Sequence, residues 1–301
     1  MKPIVGIGEL LWDIFPDGRK VAGGAPFNFA FHCQQLGHDA VIVSRVGNDD
    51  LGRELREEVR RLGLSDEYIQ TDYTHPTGTV RVTLDAGQPS YEIVENVAWD
   101  CLMGGNKLTE LVKTCEAVCF GTLGQRSVES RETIRKLTGD IRKIAAVSPL
   151  RVLDLNVRPP FFHWAEMEDS LKRCDWLKLN EDELFRLVDL VPLAHFDETS
   201  PAHELRLEYD LNLVCLSRGS QGAFLAVKDD EIIEPAPPAS IVDTVGAGDA
   251  FTAAMVCLHL EGKSLRECAR FATHYAARVC EHRGATPRID RAEIELAAFG
   301  R

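Results

Sequence analysis

The sequence predicts an α/β fold in which a mostly parallel β-sheet is flanked by helices and carries a small β insertion. Short apolar segments typical of buried strands alternate along most of the chain with segments of helical periodicity. Between about residues 68 and 97 the pattern changes to alternating apolar and polar residues, as in an antiparallel hairpin with one polar face. Near the C-terminus a glycine turn leads straight into an apolar helix.

The bulk composition is that of a globular protein of 301 residues, long enough for one large domain or two smaller ones. Its net charge of −13, with no basic run, argues against nucleic acid or an anionic membrane as a partner. Nine cysteines without paired spacing predict free thiols in a reducing compartment. Glu9 and Asp13 interrupt the apolar start of the chain, and no stretch is as long as a membrane span. We therefore expect a cytoplasmic protein.

The chain begins with a predicted strand over residues 4–10, and residues 11–15 continue its apolar alternation. Gly6 and Gly8 suggest a dinucleotide-binding turn. The third glycine of that fingerprint is missing, however, because position 11 is leucine. A nicotinamide-dependent dehydrogenase is therefore a distant alternative.

A second glycine pair, Gly23-Gly24, opens a predicted helix that has Pro26 near its first position and ends at Gly37. Asn28 lies in the first turn of this helix. Its amide can hydrogen-bond a hydroxyl of a polyol, or it can be a solvated first-turn residue. The sequence alone leaves both interpretations open.

Further strands and helices follow in alternation. In chain order they are a strand over 40–46, a helix over 50–62, the hairpin within 68–97, a strand over 117–121, a helix over 127–137, a strand over 151–155, a helix around 166–171, a strand over 176–179, a helix over 181–188, a strand over 213–217 and a hairpin over 222–235. We interpret the 68–97 hairpin as a flap over a cleft, and an edge between subunits is the alternative.

Polar side chains follow three of the predicted strands, where the sites of parallel sheets are found. One of these strand ends is the segment 216–222, a turn at which the backbone can approach a nucleotide. Asp154, Asn156 and Arg158 precede a proline pair that ends one strand. Asn180 and Glu183 follow the next strand at a spacing that can organise a hydrated Mg²⁺. A helix-capping pair is an equally good interpretation of these last two residues.

The C-terminal glycine turn runs from Asp243 to Asp249 and has the sequence Asp-Thr-Val-Gly-Ala-Gly-Asp. Amide groups at the start of a helix bind anions, aided by the helix dipole. An aspartate at this point repels an anion, but it can accept a proton from a hydroxyl while the amides stabilise a phosphoryl group. The alternative is that Asp249 only caps the helix.

Three motifs in this order resemble those of the ribokinase-like (PfkB) carbohydrate kinases: Gly23-Gly-Ala-Pro-Phe-Asn28, Asn180-Glu-Asp-Glu183 and Asp243-Thr-Val-Gly-Ala-Gly-Asp249. The resemblance covers essentially the whole chain. The segments Gly8-Glu-Leu-Leu-Trp-Asp13 and Asp154-Leu-Asn-Val-Arg158 are most similar to the fructokinase branch.

The resemblance implies a ribokinase-like three-layer sandwich formed by one domain over residues 1–301. Its mostly parallel central sheet would carry a small β-sheet lid whose strands come from about 10–20 and 68–97. The implied activity is transfer of the γ-phosphoryl group of ATP, with Mg²⁺, to a primary hydroxyl of a small sugar. Fructose is the first choice of sugar, and a homodimer formed through the lid is implied by the same resemblance.

The resemblance also implies a role for each site residue. Asp249 would be the general base, and the amides of Gly246, Ala247 and Gly248 would form the anion hole. The residues implied to bind sugar are Asp13, Gly24, Asn28 and Arg158. Those implied to bind nucleotide are Asn180, Ser217, Gly219, Gly222 and Thr244. Glu183 would act on Mg²⁺ through water. Asp243 and the Val245 carbonyl would form part of a monovalent-cation site. The use of K⁺ stays open, because Arg288 is a bulky charged residue nearby in the sequence.

Several other functions remain open from the sequence. A ribokinase, a 2-keto-3-deoxygluconate kinase and a nucleoside kinase share the same chemistry and differ in the acceptor. A catalytically silent sugar-sensing protein on the same fold is the alternative outside enzymes. An intact Asp249 and glycine turn argue against a sensor, because a sensor needs no base.

Overall fold

The fold is described from a computed structural model that covers residues 2–85, 88–139, 148–161, 163–190, 200–228 and 230–300. The strands are β1 Ile4–Ile7, β2 Leu11–Ile14, β3 Lys20–Gly23, β4 Ala40–Gly47, β5 Ile69–Asp72, β6 Gly78–Asp85, β7 Gln88–Ile93, β8 Ala117–Phe120, β9 Leu150–Asp154, β10 Trp176–Asn180, β11 Leu213–Ser217, β12 Ala223–Val227 and β13 Asp230–Glu234. The helices in these ranges are α1 Ala25–Gln35, α2 Asp50–Arg61, α3 Asn106–Thr114, α4 Val128–Gly139, α5 Trp164–Leu171, α6 Glu181–Val188, α7 Pro201–Glu208, α8 Ala247–Leu260, α9 Leu265–Cys280 and α10 Arg291–Phe299.

Nine strands form the large sheet, in the order β13-β12-β11-β10-β9-β8-β1-β4-β5. Every neighbouring pair from β11 to β5 is parallel, and only β12 runs antiparallel to both of its neighbours. The predicted α/β fold with a mostly parallel sheet is therefore confirmed. The parallel strands place their carboxyl ends on one edge of the sheet, where the polar residues of the predicted site lie.

Alternate residues of the central strands pack into two separate apolar clusters, one on each face of the sheet. Ile4, Val152 and Trp176 belong to the cluster that contains helices α1, α8 and α9. Their neighbours Val5, Leu153 and Leu177 belong to the opposite cluster. Because both faces are covered by helices, these strands are apolar on both sides, and the architecture has three layers.

Helix α8 is the central helix of its layer. All nine residues from Ala250 to Leu258 are buried, so the helix is apolar all round and packs between α1 and α9. It begins after Gly246, which has a φ of +79°, and the chain leaves it through Gly262, which has a φ of +81°. Both glycines adopt the left-handed conformation that other residues avoid.

A second, four-stranded sheet has the order β3-β2-β6-β7. Two expectations from the sequence need correction here. Residues 11–15 do not continue the first strand, because the chain turns at Gly8, whose φ is +147°, and β2 joins the small sheet. The range 68–97 is not wholly part of the small sheet, because β5 pairs in parallel with β4 at the edge of the large one. The β6–β7 hairpin itself is antiparallel, as predicted.

All nine cysteines are free thiols, and eight of them are buried. The exception is Cys101, which is partly exposed. In the part of the chain that the structure describes, no helix is both long enough and apolar enough to cross a bilayer.

Candidate active site

The glycine turn and the start of α8 form a concave backbone surface at the carboxyl edge of the large sheet. The amide of Val245 donates to Asp243 Oδ1 at 3.1 Å, and the amide of Ala247 donates to the Thr244 carbonyl at 3.3 Å. The first hydrogen bond within the helix runs from Ala250 to the Gly246 carbonyl. The amides of Gly248 and Asp249 precede this bond and so have no partner within the helix. Together with the helix dipole, amides in this position are suited to binding an anion.

Asp249 lies in the first turn of α8 but does not cap it. The cap position is occupied by Gly246, and no side chain there bonds to the helix. Instead Asp249 Oδ2 accepts a hydrogen bond of 2.8 Å from Asn28 Nδ2. Burial, followed by the charge of Asp154, raises the pKa of Asp249 to about 7. Asp249 therefore has the acidity of a general base that operates near neutral pH.

Asn28 projects from the first turn of α1 toward α8 and is only 5% exposed, so it is not the solvated residue that the sequence left open. Its Oδ1 atom is buried and has no hydrogen-bond partner among the described residues. A buried amide oxygen without a partner carries a large desolvation cost, which a ligand hydroxyl removes by donating to it. The geometry therefore suits a polyol next to Asp249.

Glu9 is a second buried carboxylate at this site, and the sequence analysis did not assign it a role. Its Oε1 accepts the Ala25 amide at 3.2 Å, which holds the start of α1, while Oε2 is buried and has no hydrogen-bond partner within the described ranges of the chain. A Cβ on Gly24 would lie 2.3 Å from the Glu9 carbonyl oxygen, so a glycine is required at this close approach. Burial, together with the charge of Asp249, raises the pKa of Glu9 to about 7.

Asp13 and Arg158 complete the predicted sugar-binding set. The carboxylate of Asp13 lies over β3, where a Cβ on Gly23 would be 2.8 Å from its Oδ2. Burial raises the pKa of Asp13 to about 6, and the charge of Arg158 opposes that rise. Arg158 is exposed, but its charge also lowers the pKa of Glu9 and Asp249. The fold thus brings Asp13, Arg158 and the Asn28–Asp249 pair to one place.

A buried ion pair lies directly beneath the glycine turn. Lys178 Nζ is 3.0 Å from Asp154 Oδ1, and Thr252 Oγ1 donates to Asp154 Oδ2 at 2.8 Å. A Cβ on Gly248 would be only 2.8 Å from Lys178 Nζ. Burial lowers the pKa of Lys178, but the carboxylates of Asp154, Glu183 and Asp249 raise it above its ordinary value. A protonated lysine therefore lies behind the anion site.

Asn180 and Glu183 form the capping pair that the sequence left open. Asn180 Oδ1 accepts the amide of Glu183 at 2.9 Å, and Glu183 Oε2 accepts the amide of Asn180 at 2.9 Å. Glu183 Oε1 also accepts the Val157 amide, and this side chain is 6% exposed. Each oxygen of Glu183 is thus bonded to a backbone amide, and its action on Mg²⁺ through water stays a prediction.

The predicted nucleotide and cation residues lie on neighbouring loops at the same edge. Ser217 ends β11, and Gly219 and Gly222 bound a short 3₁₀ turn after it. Asp243 connects two loops, because its Oδ1 accepts the Val245 amide and its Oδ2 accepts the Gly284 amide at 2.9 Å. Thr244 and Val245 are exposed beside them.

Comparison with known proteins agrees with this geometry. The sequence pattern of pfkB family carbohydrate kinases matches residues 14–291. The chain belongs to this family. As a carbohydrate kinase it is a phosphotransferase that uses ATP.

Named relatives of this kinase span several sugar specificities. It is 31% identical to an uncharacterized sugar kinase of Pyrococcus horikoshii over 95% of this chain and 93% of that one. It is also 31% identical to a ribokinase of Arabidopsis thaliana, over 92% of this chain and 72% of the ribokinase. The Pyrococcus protein in complex with ATP superposes with a TM-score of 0.80, at 29% identity and 97% coverage of both chains. A fructokinase of Xylella fastidiosa with bound ATP superposes with a TM-score of 0.85, at 21% identity and 98% coverage of both chains. This likeness shows the shared fold.

The sequence analysis of this kinase missed Glu9 and Lys178. Both lie in apolar segments that read as strands, where a lone charge is the available signal. Asp154 was noticed as a residue of the sheet rim, but it is 4% exposed and pairs inward with Lys178. A lone charge inside an apolar segment is therefore a signal for a buried residue at such a site, beside the strand-end position.

Proposed function

We propose that this kinase transfers the γ-phosphoryl group of ATP to a primary hydroxyl of a small neutral sugar, with fructose as the acceptor. The observation that supports this most directly is the Asn28–Asp249 pair in front of the α8 amides. In this pair Asp249 can accept a proton and Asn28 can bind a hydroxyl group, and both would lie beside amides that can bind an anion.

In the proposed reaction Asp249 accepts the proton of the sugar hydroxyl, and the resulting oxygen attacks the γ-phosphorus. The bond from phosphorus to the bridging oxygen of ADP breaks at the same time. The amides of Gly246, Ala247 and Gly248 stabilise the negative charge on the transferred group. The Lys178 ammonium adds positive charge behind this turn.

The charges around the acceptor favour a neutral sugar. Glu9, Asp13 and Asp249 contribute three carboxyl groups, and Arg158 is the cation whose charge acts on all three. These carboxyl groups would repel an acceptor that carries a phosphate or a carboxylate group of its own. This argues for fructose or ribose over 2-keto-3-deoxygluconate, whose carboxylate would need Arg158 for itself. Gly24 would let the sugar approach the backbone closely.

For the nucleotide, we propose that Asn180, Ser217, Thr244 and the Gly219–Gly222 turn line the ATP site. Bound Mg²⁺ would neutralise phosphate charge, and Glu183 would orient its waters. The residues fit a hydrated Mg²⁺, because Glu183 is a carboxylate whose oxygens are held in place by the amides of Val157 and Asn180. The proposed K⁺ site includes Asp243 and the Val245 carbonyl. A Vibrio cholerae fructokinase is described with fructose, ADP and potassium ion, at 19% identity.

We further propose that the small sheet is a lid within a single domain and that it closes over bound sugar. Asp13 belongs to β2 of this sheet and is therefore positioned to couple sugar binding to closure. A homodimer through the outer face of the lid would protect its edge strands.

The test is ATP consumption with Mg²⁺ across fructose, ribose, glucose, 2-keto-3-deoxygluconate and adenosine. We expect the highest kcat/KM with fructose and a loss of most turnover in Asp249→Asn, with ATP binding retained. Asp50→Asn, on the exposed first turn of α2, serves as the matched control and should leave turnover unchanged. Turnover near the wild-type value in Asp249→Asn would remove Asp249 as the base. Sugar binding by calorimetry without any turnover would favour the sensor instead.

A further inference from the structure

Outside the kinase site, His75, Cys101 and Asp72 form a cluster whose potential ligand atoms lie within 4.8 Å of one another. It is the one group of three or more such side chains found among the described residues. Neither the sequence analysis nor the kinase chemistry uses it. Cys101 is also the single thiol of the nine that is not buried.

The cluster has the geometry of a metal site with a supporting carboxylate. His75 Nδ1 lies 3.1 Å from Asp72 Oδ2, and His75 Nε2 lies 3.8 Å from Cys101 Sγ. A histidine that donates Nδ1–H to a carboxylate presents Nε2 to a metal, and such a partner fixes the ring orientation. Tetrahedral Zn²⁺ bound by one sulfur and one nitrogen holds these atoms about 3.5 Å apart, given bonds of about 2.3 and 2.0 Å. The observed spacing is close to this value.

Asp72 is not free to be a ligand, because it is saturated by its surroundings. Its Oδ1 accepts the amides of Thr74 and His75, and Arg45 Nε lies 3.0 Å from its Oδ2. Arg45 also donates to the Cys101 carbonyl at 2.6 Å. The same arginine thus balances the charge of Asp72 and holds the backbone beside the sulfur, so both donor atoms are positioned by rigid neighbours.

The two donor residues lie on the two connections between the β6–β7 hairpin and the rest of the chain. His75 is in the segment that leads from β5 into β6, and Cys101 ends the 3₁₀ helix Ala98–Cys101, which follows β7. The connections already touch, because the Ala98 amide donates to the Pro76 carbonyl at 2.8 Å. A metal ion between His75 and Cys101 would therefore link the entry and the exit of the β6–β7 hairpin.

We infer that His75 and Cys101 form a binding site for a thiolate-seeking divalent cation such as Zn²⁺, positioned by Asp72, and that the bound ion restrains the hairpin. On binding, the S–H bond of Cys101 breaks, a sulfur–metal bond forms and the proton passes to the buffer. His75 binds as the neutral ring. Water completes the coordination, because the His75 side chain is 39% exposed.

The first test titrates the metal-free protein with Cd²⁺ and follows the ultraviolet charge-transfer absorbance of a cadmium–thiolate bond, with Zn²⁺ added as competitor. We expect one Cd²⁺ per chain, displacement by Zn²⁺, loss of the band in Cys101→Ser and at least about tenfold weaker binding in His75→Asn. Cys280→Ser, at a cysteine 9% exposed on α9, is the control and should bind as wild type. An unchanged band in Cys101→Ser, or wild-type affinity in His75→Asn, overturns the site.

The second test measures amide hydrogen exchange in the two strands of the hairpin with and without Zn²⁺, in the absence of sugar and nucleotide. We expect slower exchange with Zn²⁺ in the wild-type protein and no effect in Cys101→Ser. Equal exchange with and without Zn²⁺ at saturation would overturn the restraint on the hairpin. Neither test depends on the identity of the sugar.

Discussion

The Asn28–Asp249 hydrogen bond allows a quantitative prediction for Asn28→Ala. The bond of 2.8 Å stabilises the carboxylate form of Asp249 and lowers its pKa, against the larger effect of burial. Hydrogen bonds to charged groups contribute about 1.5–3 kcal/mol. Because Asp249 is partly accessible to solvent, we take the lower end of this energy range. Loss of about 1.5 kcal/mol raises the pKa by about one unit.

The sign of the effect follows from the proposed role of Asp249 as a base. We expect activity to rise with pH as Asp249 loses its proton, so a higher pKa should move the acid limb of the pH profile to higher pH. Starting from a pKa of about 7, the ionised fraction at pH 7 falls from about a half to about a tenth. We therefore expect kcat/KM at pH 7 to fall about fivefold through this effect alone. A further, pH-independent loss is expected from the missing contact with sugar.

The assay is the pH dependence of kcat/KM for the preferred sugar between pH 5.5 and 9, chosen to bracket a pKa of about 7. Gln35→Ala is the matched control, because Gln35 is also on α1 and bonds to Tyr275 instead of the site. We expect its acid limb to coincide with that of the wild type. An acid limb in Asn28→Ala that stays within about 0.3 unit of the wild type would refute the reasoning.

Three further predictions follow from individual contacts. Gly246→Ala should lower kcat about 100-fold, because the added Cβ would lie 2.6 Å from Ala285 and displace the proposed anion hole. The control is Gly262→Ala, which strains the backbone but meets no neighbouring atoms and should leave kcat unchanged. Lys178→Met should lower the free energy of unfolding, measured by urea denaturation, by about 3–5 kcal/mol, because it leaves Asp154 buried without its cation. A loss no larger than that caused by Lys172→Met, at an exposed lysine, would contradict this prediction. Burial lowers the pKa of His32 from 6.5 to about 4, so its stability contribution of about 3 kcal/mol is present above pH 6.5 and lost as pH falls toward 4. The urea midpoint of the wild type should fall with acidification more steeply than that of His32→Gln, and parallel curves would remove His32 as the cause.

The fold was predictable wherever local pattern and burial agree. The helix over 181–188 and the strand over 213–217 have the predicted bounds, because a capping pair begins the first and a continuous apolar run forms the second. The assignment of residues 11–15 failed because periodicity does not identify the sheet that a strand joins. The turn at Gly8, which separates the two sheets, was visible only as one of several glycines.

The sequence motifs allowed candidate site residues to be predicted, but not the contacts among them. Asn28 and Asp249 are 221 residues apart, and nothing local in the sequence shows that one donates to the other. The role of Glu9 depends on space left by Gly24 and on the orientation of α1, which are properties of the folded chain. Pairing of Lys178 with Asp154 likewise depends on the adjacency of β9 and β10.

The position of Asp249 shows how one short segment could supply both the base and the anion site of the proposed mechanism. A carboxylate in the first turn of a helix is stabilised by the dipole and would ordinarily be too acidic to accept a hydroxyl proton effectively. Here burial and the charge of Asp154 act in the opposite direction and bring its pKa to about 7. Lys178 beneath the turn prevents the same acidic surroundings from repelling a phosphoryl group. The buried Asp154–Lys178 pair would therefore affect both of the proposed functions of the turn, and a substitution at either residue should change the acidity of Asp249 and the binding of phosphate together.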